Sequence, residues 1–184
     1  MSKTIRTKVF KFEELNDKAK EVAMNHFANI NVDDRWYENI YSDAENVGIK
    51  INGFDIDRGR FCSIVLSNTA SDTVDLIIKE HGESCDTYKT AMKHRLAYNA
   101  LVEKYSDGTD KTTVTPENEY DFDNEVDTID DEFKEEIAGD YLTILSNEYD
   151  YLTGEESVKE TIIINEYYFT RDGRFFPHTD EKEG

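Results

Sequence analysis

Asp121, Asp123, Glu125 and Glu132 stand at positions 1, 3, 5 and 12 of the stretch DFDNEVDTIDDE, residues 121–132, which is the ligand spacing of an EF-hand calcium loop. Calcium takes oxygen ligands, so carboxylates at that spacing are the right chemistry. The loop also needs glycine at its sixth position for a sharp turn, and that position is Val126. Glu125 is longer than the Asp or Asn usual at its place, and no clear entering helix precedes Asp121. The stretch therefore reads as dense carboxylates that hold divalent cations weakly, without a dedicated site. Two other arrangements raise metal chemistry. His81 and Cys85 in HGESC are four apart, but zinc takes four ligands and Gly82 interrupts the helix that would align the pair. Asp55 and Asp57 in GFDIDRGRF share one side of an alternating strand, where they could hold magnesium; Arg58 and Arg60 could equally neutralise them, as on a solvated strand face near a turn. The other histidines, His26, His94 and His178, fall in separate elements, and no glycine-rich phosphate loop, nucleophile elbow or HExxH motif occurs. The sequence thus predicts no catalytic centre, no metal and no cofactor.

The wider run ENEYDFDNEVDTIDDEFKEE, residues 117–136, holds eleven carboxylates and one lysine, Lys134. The formal charge of −20 follows this concentration: residues 1–112 carry 19 acids against 16 bases, and residues 113–184 carry 22 against 5. Such a field repels DNA, RNA and anionic membranes, and it speeds encounter with a basic surface. Direct binding to nucleic acid or membrane is therefore not expected. Duplex DNA presents one charge per ~1.7 Å of axis, and carboxylates at i and i+4 of a helix stand ~6 Å apart. An acidic helix can thus stand in for phosphates in a groove built to hold them. Glu132 with Glu136, and Glu136 with Asp140, have this spacing. Like charges so placed destabilise a helix, a cost that Phe133, Ile137 and Tyr141 can offset by anchoring the other face. The expected partner-binding residues are Glu117, Glu119, Asp121, Asp123, Glu125 and Asp127 ahead of the helix, and Asp130, Asp131, Glu132, Glu135, Glu136 and Asp140 within it. Tyr120 and Phe122 interleave with them as aromatic anchors. The bland alternative is an acidic surface that simply keeps the protein soluble.

These residues need a scaffold, and 184 residues is about the size of one domain with one core. Hydrophobic content of 38%, with eleven Tyr and ten Phe, supplies apolar area that disordered acidic chains lack. IRTKVFKF, residues 5–12, alternates as a strand, and Asn16 caps a helix carrying Ala19, Val22, Ala23, His26 and Phe27 at helical spacing. A second helix spans about 34–47 and ends at Gly48. IKINGFDID and RFCSIVLSN form a hairpin around Arg58 and Gly59, which completes a three-stranded sheet with the first strand. Helices follow from Ser71 to Gly82 and over about 85–105. Residues 106–127 read as an acidic loop, and Thr128 with Asp131 resembles a capping box opening a helix that buries Ile129, Phe133, Ile137, Tyr141, Ile144 and Leu145. ESVKETIIIN satisfies either period and is taken as a helix, and EYYFTRDGRFF is a hairpin around Asp172 and Gly173. The fold class is α+β: one domain over 1–184, a small, mainly antiparallel sheet packed by helices, with an acidic C-terminal helix and a terminal hairpin. Only Cys62 and Cys85 occur, the N-terminus lacks the apolar run of a signal peptide, and no segment approaches the ~20 apolar residues of a membrane helix. A cytoplasmic location is expected.

Three segments, KFEELNDKAKEVAMNHFAN, WYENIYSDAENVGIKINGFDIDRG and NEYYFTRDGRFFP, resemble a group of small phage and prophage proteins that carry a loose antitoxin-like label. Proteins of that setting include inhibitors of bacterial defence, among them anti-CRISPR proteins acting on Cas9-type nucleases. The resemblance implies an anti-defence role, with a basic nucleic-acid-binding protein of the bacterial host, such as a Cas nuclease, as partner. Two other functions fit the sequence: an antitoxin that neutralises a basic toxin through the same acidic face, and a sponge or nuclease for a cyclic-nucleotide signal, which would need cations such as Lys89, Lys93 and Arg95.

Overall fold

The computed structural model describes residues 7–106, 114–115 and 118–177. Glu117 and His178 lie outside the described residues, as does much of the expected acidic loop. Contacts divide the chain into two compact units, one comprising Tyr37–Ser146 and the other Met1–Trp36 with Asn147–Gly184. The architecture is α+β, with small antiparallel sheets packed by helices and a C-terminal hairpin.

In the terminal unit, β1 (Phe10–Lys11) pairs antiparallel with β4 (Tyr168–Phe169), which pairs with β5 (Phe175–Phe176). The expected sheet of strand one with the 49–66 hairpin does not form. Alternation along residues 5–12 stops at Phe12, where the Glu14 carboxylate accepts from the Lys11 backbone N–H at 2.7 Å and the chain turns into a short 3-10 helix. That turn buries both Phe12 and Leu15, a spacing no strand provides. They join Ala19 and Ala23 of α1 (Asp17–His26), Val158 and Ile162 of α6 (Glu155–Ile164), and Phe169 in one core. Asn16 caps α1 as expected, its Oδ1 accepting from Ala19 N at 3.0 Å. The β4–β5 turn presses on this helix. Gly173 has φ +85°, and a Cβ there would lie 2.0 Å from the Ala19 carbonyl oxygen.

In the other unit, β2 (Ile49–Asp55) and β3 (Phe61–Leu66) form the expected hairpin, with a bulge between Ile51 and Gly53. Asp55 holds its turn: Oδ1 accepts from Asp57 and Arg58 backbone N–H groups at 2.8 and 3.1 Å, and Oδ2 from Gly59 at 3.1 Å. α2 (Glu38–Asn46) starts later than the sequence reading and leads into Gly48 at φ +80°. α3 (Ala70–Glu80) is capped by Thr69 rather than Ser71, with Thr69 Oγ1 accepting from Asp72 N at 3.1 Å and donating to the Asp72 carboxylate at 2.7 Å. α4 (Asp86–Tyr105) follows, and its last residues are met by Val114 and Thr115.

α5 runs from Glu119 to Thr153. The expected acidic loop therefore ends at least eight residues earlier than 127, and DFDNEVDTIDDE is helix, so the twelve-residue calcium loop does not exist. Thr128 opens nothing; its Oγ1 donates to the Asn124 carbonyl at 3.0 Å inside the helix. What extends the helix is packing. Phe122, three turns ahead of Phe133, sits edge-on to Tyr98 and Tyr105 of α4, each with ring centroids 6.0 Å away. Further along, Phe133, Ile137 and Tyr141 enter the core of Ala44, Val47, Ile49, Ile51, Ala70, Val74, Ile77 and Ala91. Leu145 is buried as expected, whereas Ile144 is exposed.

Candidate functional site

The carboxylates of α5 separate into two sets by the direction in which the helix turns them. One set faces α4. Glu125 accepts from Lys104 Nζ at 2.7 and 2.9 Å and from the Tyr105 hydroxyl at 2.8 Å, and these two donors, Lys104 foremost, hold its carboxyl below the usual range. Asp130 accepts from Nε2 of buried His94 at 2.7 Å. Glu136 is bonded by Lys93. Asp140 accepts from Thr90 Oγ1 at 2.7 Å, and burial pushes its carboxyl up. Partners on α4 run from 104 down to 90 as those on α5 rise from 125 to 140, so the helices are antiparallel and joined by a polar seam. Both pairs that the sequence placed at phosphate spacing use Glu136, which is engaged in that seam.

The second set faces away. Glu119, Asp123, Asp127, Asp131 and Glu135 follow one another at i+4 and form a single column, every member exposed. At 1.5 Å rise per residue the column is about 24 Å long with a charge every ~6 Å. Asp131 is bonded by Lys134 at 2.9 Å. Glu119, Asp123, Asp127 and Glu135, with Asp121 and Glu132 on the adjoining surface, meet no cation within ion-pair distance among the described residues. Each successive pair in the column costs roughly 0.2–0.5 kcal/mol of helix stability. Of the column, only Glu119, in the first turn, recovers part of this from the helix dipole. Tyr120, 77% exposed, stands beside the column, whereas Phe122 points into the seam and is half buried.

The other residues singled out by spacing have structural roles. Both oxygens of Asp55 are taken by the hairpin turn, and those N–H donors depress its carboxyl. His81 shares a hydrogen bond between Nδ1 and Thr87 Oγ1 at 2.8 Å, and its Nε2 faces Asp43 at 3.7 Å. No group of three or more His, Cys, Asp or Glu side chains is placed to hold a metal among the described residues. Lys89, Lys93 and Arg95 are bonded to Asp86, Glu136 and Asp75 respectively. Sequence reading missed the α4 side of the seam. Lys93 and Lys104 are eleven apart, three helical turns, and that spacing was a readable sign of a face meeting acids.

No helix among the described residues is long and apolar enough to cross a membrane. Comparison with protein-family models, with curated proteins and with solved structures found no match.

Proposed function

We propose that the protein is a phage-type anti-defence inhibitor of the anti-CRISPR kind. It binds rather than catalyses, acting in the host cytoplasm by presenting α5 to a basic nucleic-acid groove of a host nuclease such as Cas9. The observation that carries this reading is the outward column of Glu119, Asp123, Asp127, Asp131 and Glu135. A surface needed only for solubility gains nothing from stacking like charges at the one spacing that weakens its own helix. A groove lined with Lys and Arg does gain from it, because the charges it holds on nucleic acid are spaced comparably along a backbone. Tyr120 supplies an aromatic contact next to the charges. The cyclic-nucleotide reading loses its cations, since Lys89, Lys93 and Arg95 are all paired.

The deciding experiment measures DNA binding and cleavage by a guide-loaded Cas9-type nuclease with increasing full-length protein. It is repeated with a variant carrying Asp123→Asn, Asp127→Asn, Asp131→Asn and Glu135→Gln. The expected result is inhibition by the native chain that weakens steeply with added salt, and a loss of about tenfold or more in the variant. Inhibition that salt and the four substitutions leave unchanged, or no binding to any basic nucleic-acid-binding host protein, overturns the proposal.

A further inference from the structure

The β2–β3 hairpin leaves its core open along one side. On β2, Ile49 and Ile51 are 0% and 5% exposed, whereas the inward-facing residues of β3, namely Cys62, Ile64 and Leu66, are only half buried. On the outer face Phe61 and Val65 are 50% and 53% exposed, with Ser63 exposed between them. β3 pairs with β2 alone, and among the described residues no backbone hydrogen bond reaches its far edge. Natural edges are blunted by charge, proline or a bulge. β2 has both Lys50 and the bulge at Ile51–Gly53, but β3, FCSIVL, has no charge and no proline. A strand of that composition at an open edge is a template for another strand.

We propose that β3 pairs antiparallel with β3 of a second copy of this chain, joining two hairpins into one four-stranded sheet. The pattern selects the occupant. Directly opposed residues share a face, so a two-fold axis at Ser63 sets Phe61 against the second copy's Val65 outside, and Cys62 against its Ile64 inside. Both contacts are apolar, and aromatic with β-branched is a favoured cross-strand pair. The register also opposes no like charges, since residues 61–65 carry none. One strand pair covers less than the ~1,200 Å² usual for a stable dimer, so association is weak and concentration-dependent. Because each copy carries −20, added salt strengthens it, the reverse of what salt does to binding through α5.

Sedimentation velocity of the full chain over a wide concentration range, at low and high salt, tests this. The expected result is a reversible monomer–dimer equilibrium tightened by salt. Val65→Lys, at an exposed position, then raises the dissociation constant about tenfold or more. Mild oxidation of a Ser63→Cys, Cys85→Ser chain is expected to give a disulfide dimer whose peptide map links residue 63 to residue 63. A chain that stays monomeric at every concentration overturns the proposal. So does a dimer that Val65→Lys leaves intact, or one whose disulfide maps to another residue.

Discussion

Asp140 meets a hydroxyl across the α4–α5 seam where its neighbours Glu125 and Glu136 meet lysines. Burial outweighs the Thr90 hydrogen bond, so its carboxyl is raised, and ionised Asp140 works against the fold at neutral pH. A raised acid favours folding while protonated and loses that contribution as pH climbs through its folded value. Asp140→Asn keeps an acceptor for Thr90 Oγ1 and removes the charge. It should raise the melting temperature at pH 7, with the gain disappearing as pH falls to the ordinary carboxylate range; thermal unfolding at several pH values reads this directly. Gly173 is a second single-residue determinant. At φ +85°, with Ala19 O where a Cβ would go, Gly173→Ala should cost roughly 2–4 kcal/mol in denaturant unfolding. Its turn signal, Asp-Gly between aromatic runs, was plain in the sequence; the close approach of α1 was not, because it depends on a contact more than a hundred residues distant.

Among the elements, those whose apolar spacing is self-contained were legible: α1 with its Asn16 cap, α4 and both hairpins. The first turns of α5 were not. Residues 119–127 are rich in Asp and Asn, which favour turns over helix interiors, and local chemistry alone points to a loop. Phe122 against Tyr98 and Tyr105, with Glu125 held by Lys104 and Tyr105, decides otherwise. Tertiary partners from α4 thus override propensity, and the same extension creates the acid column, which exists only if residue 119 is helical. Phe122→Ala should therefore release the start of α5, costing roughly 1–2 kcal/mol. Hydrogen exchange should show lost protection over 119–127 while 133–145, anchored by Phe133, Ile137 and Tyr141, stays protected. Equal protection in variant and native chain would mean that Phe122 does not anchor these turns.

At the scale of the whole molecule, the charge asymmetry read from composition becomes a statement about salt. Carboxylates of the column are ~6 Å apart, inside the Debye length of about 8 Å at physiological ionic strength, so each feels its neighbours. The seam pairs work in the opposite sense, since screening weakens Lys104–Glu125 and Lys93–Glu136. The outcome follows from position: Lys93 and Lys104 are already bonded to Glu136 and Glu125, whereas Glu119, Asp123, Asp127 and Glu135 of the column meet no cation within ion-pair distance among the described residues. Repulsion should dominate, and the melting temperature should rise as sodium chloride is added from low ionic strength. Neutralising Asp123, Asp127, Asp131 and Glu135 should raise stability at low salt by about 1–2 kcal/mol and flatten the salt dependence. A chain that keeps such a column thus holds it at a cost to its own folding. If the four substitutions stabilise the fold while abolishing inhibition, stability and function are opposed at the same carboxylates, as expected of a surface retained for a partner. If they change neither, the column is ordinary solvated charge.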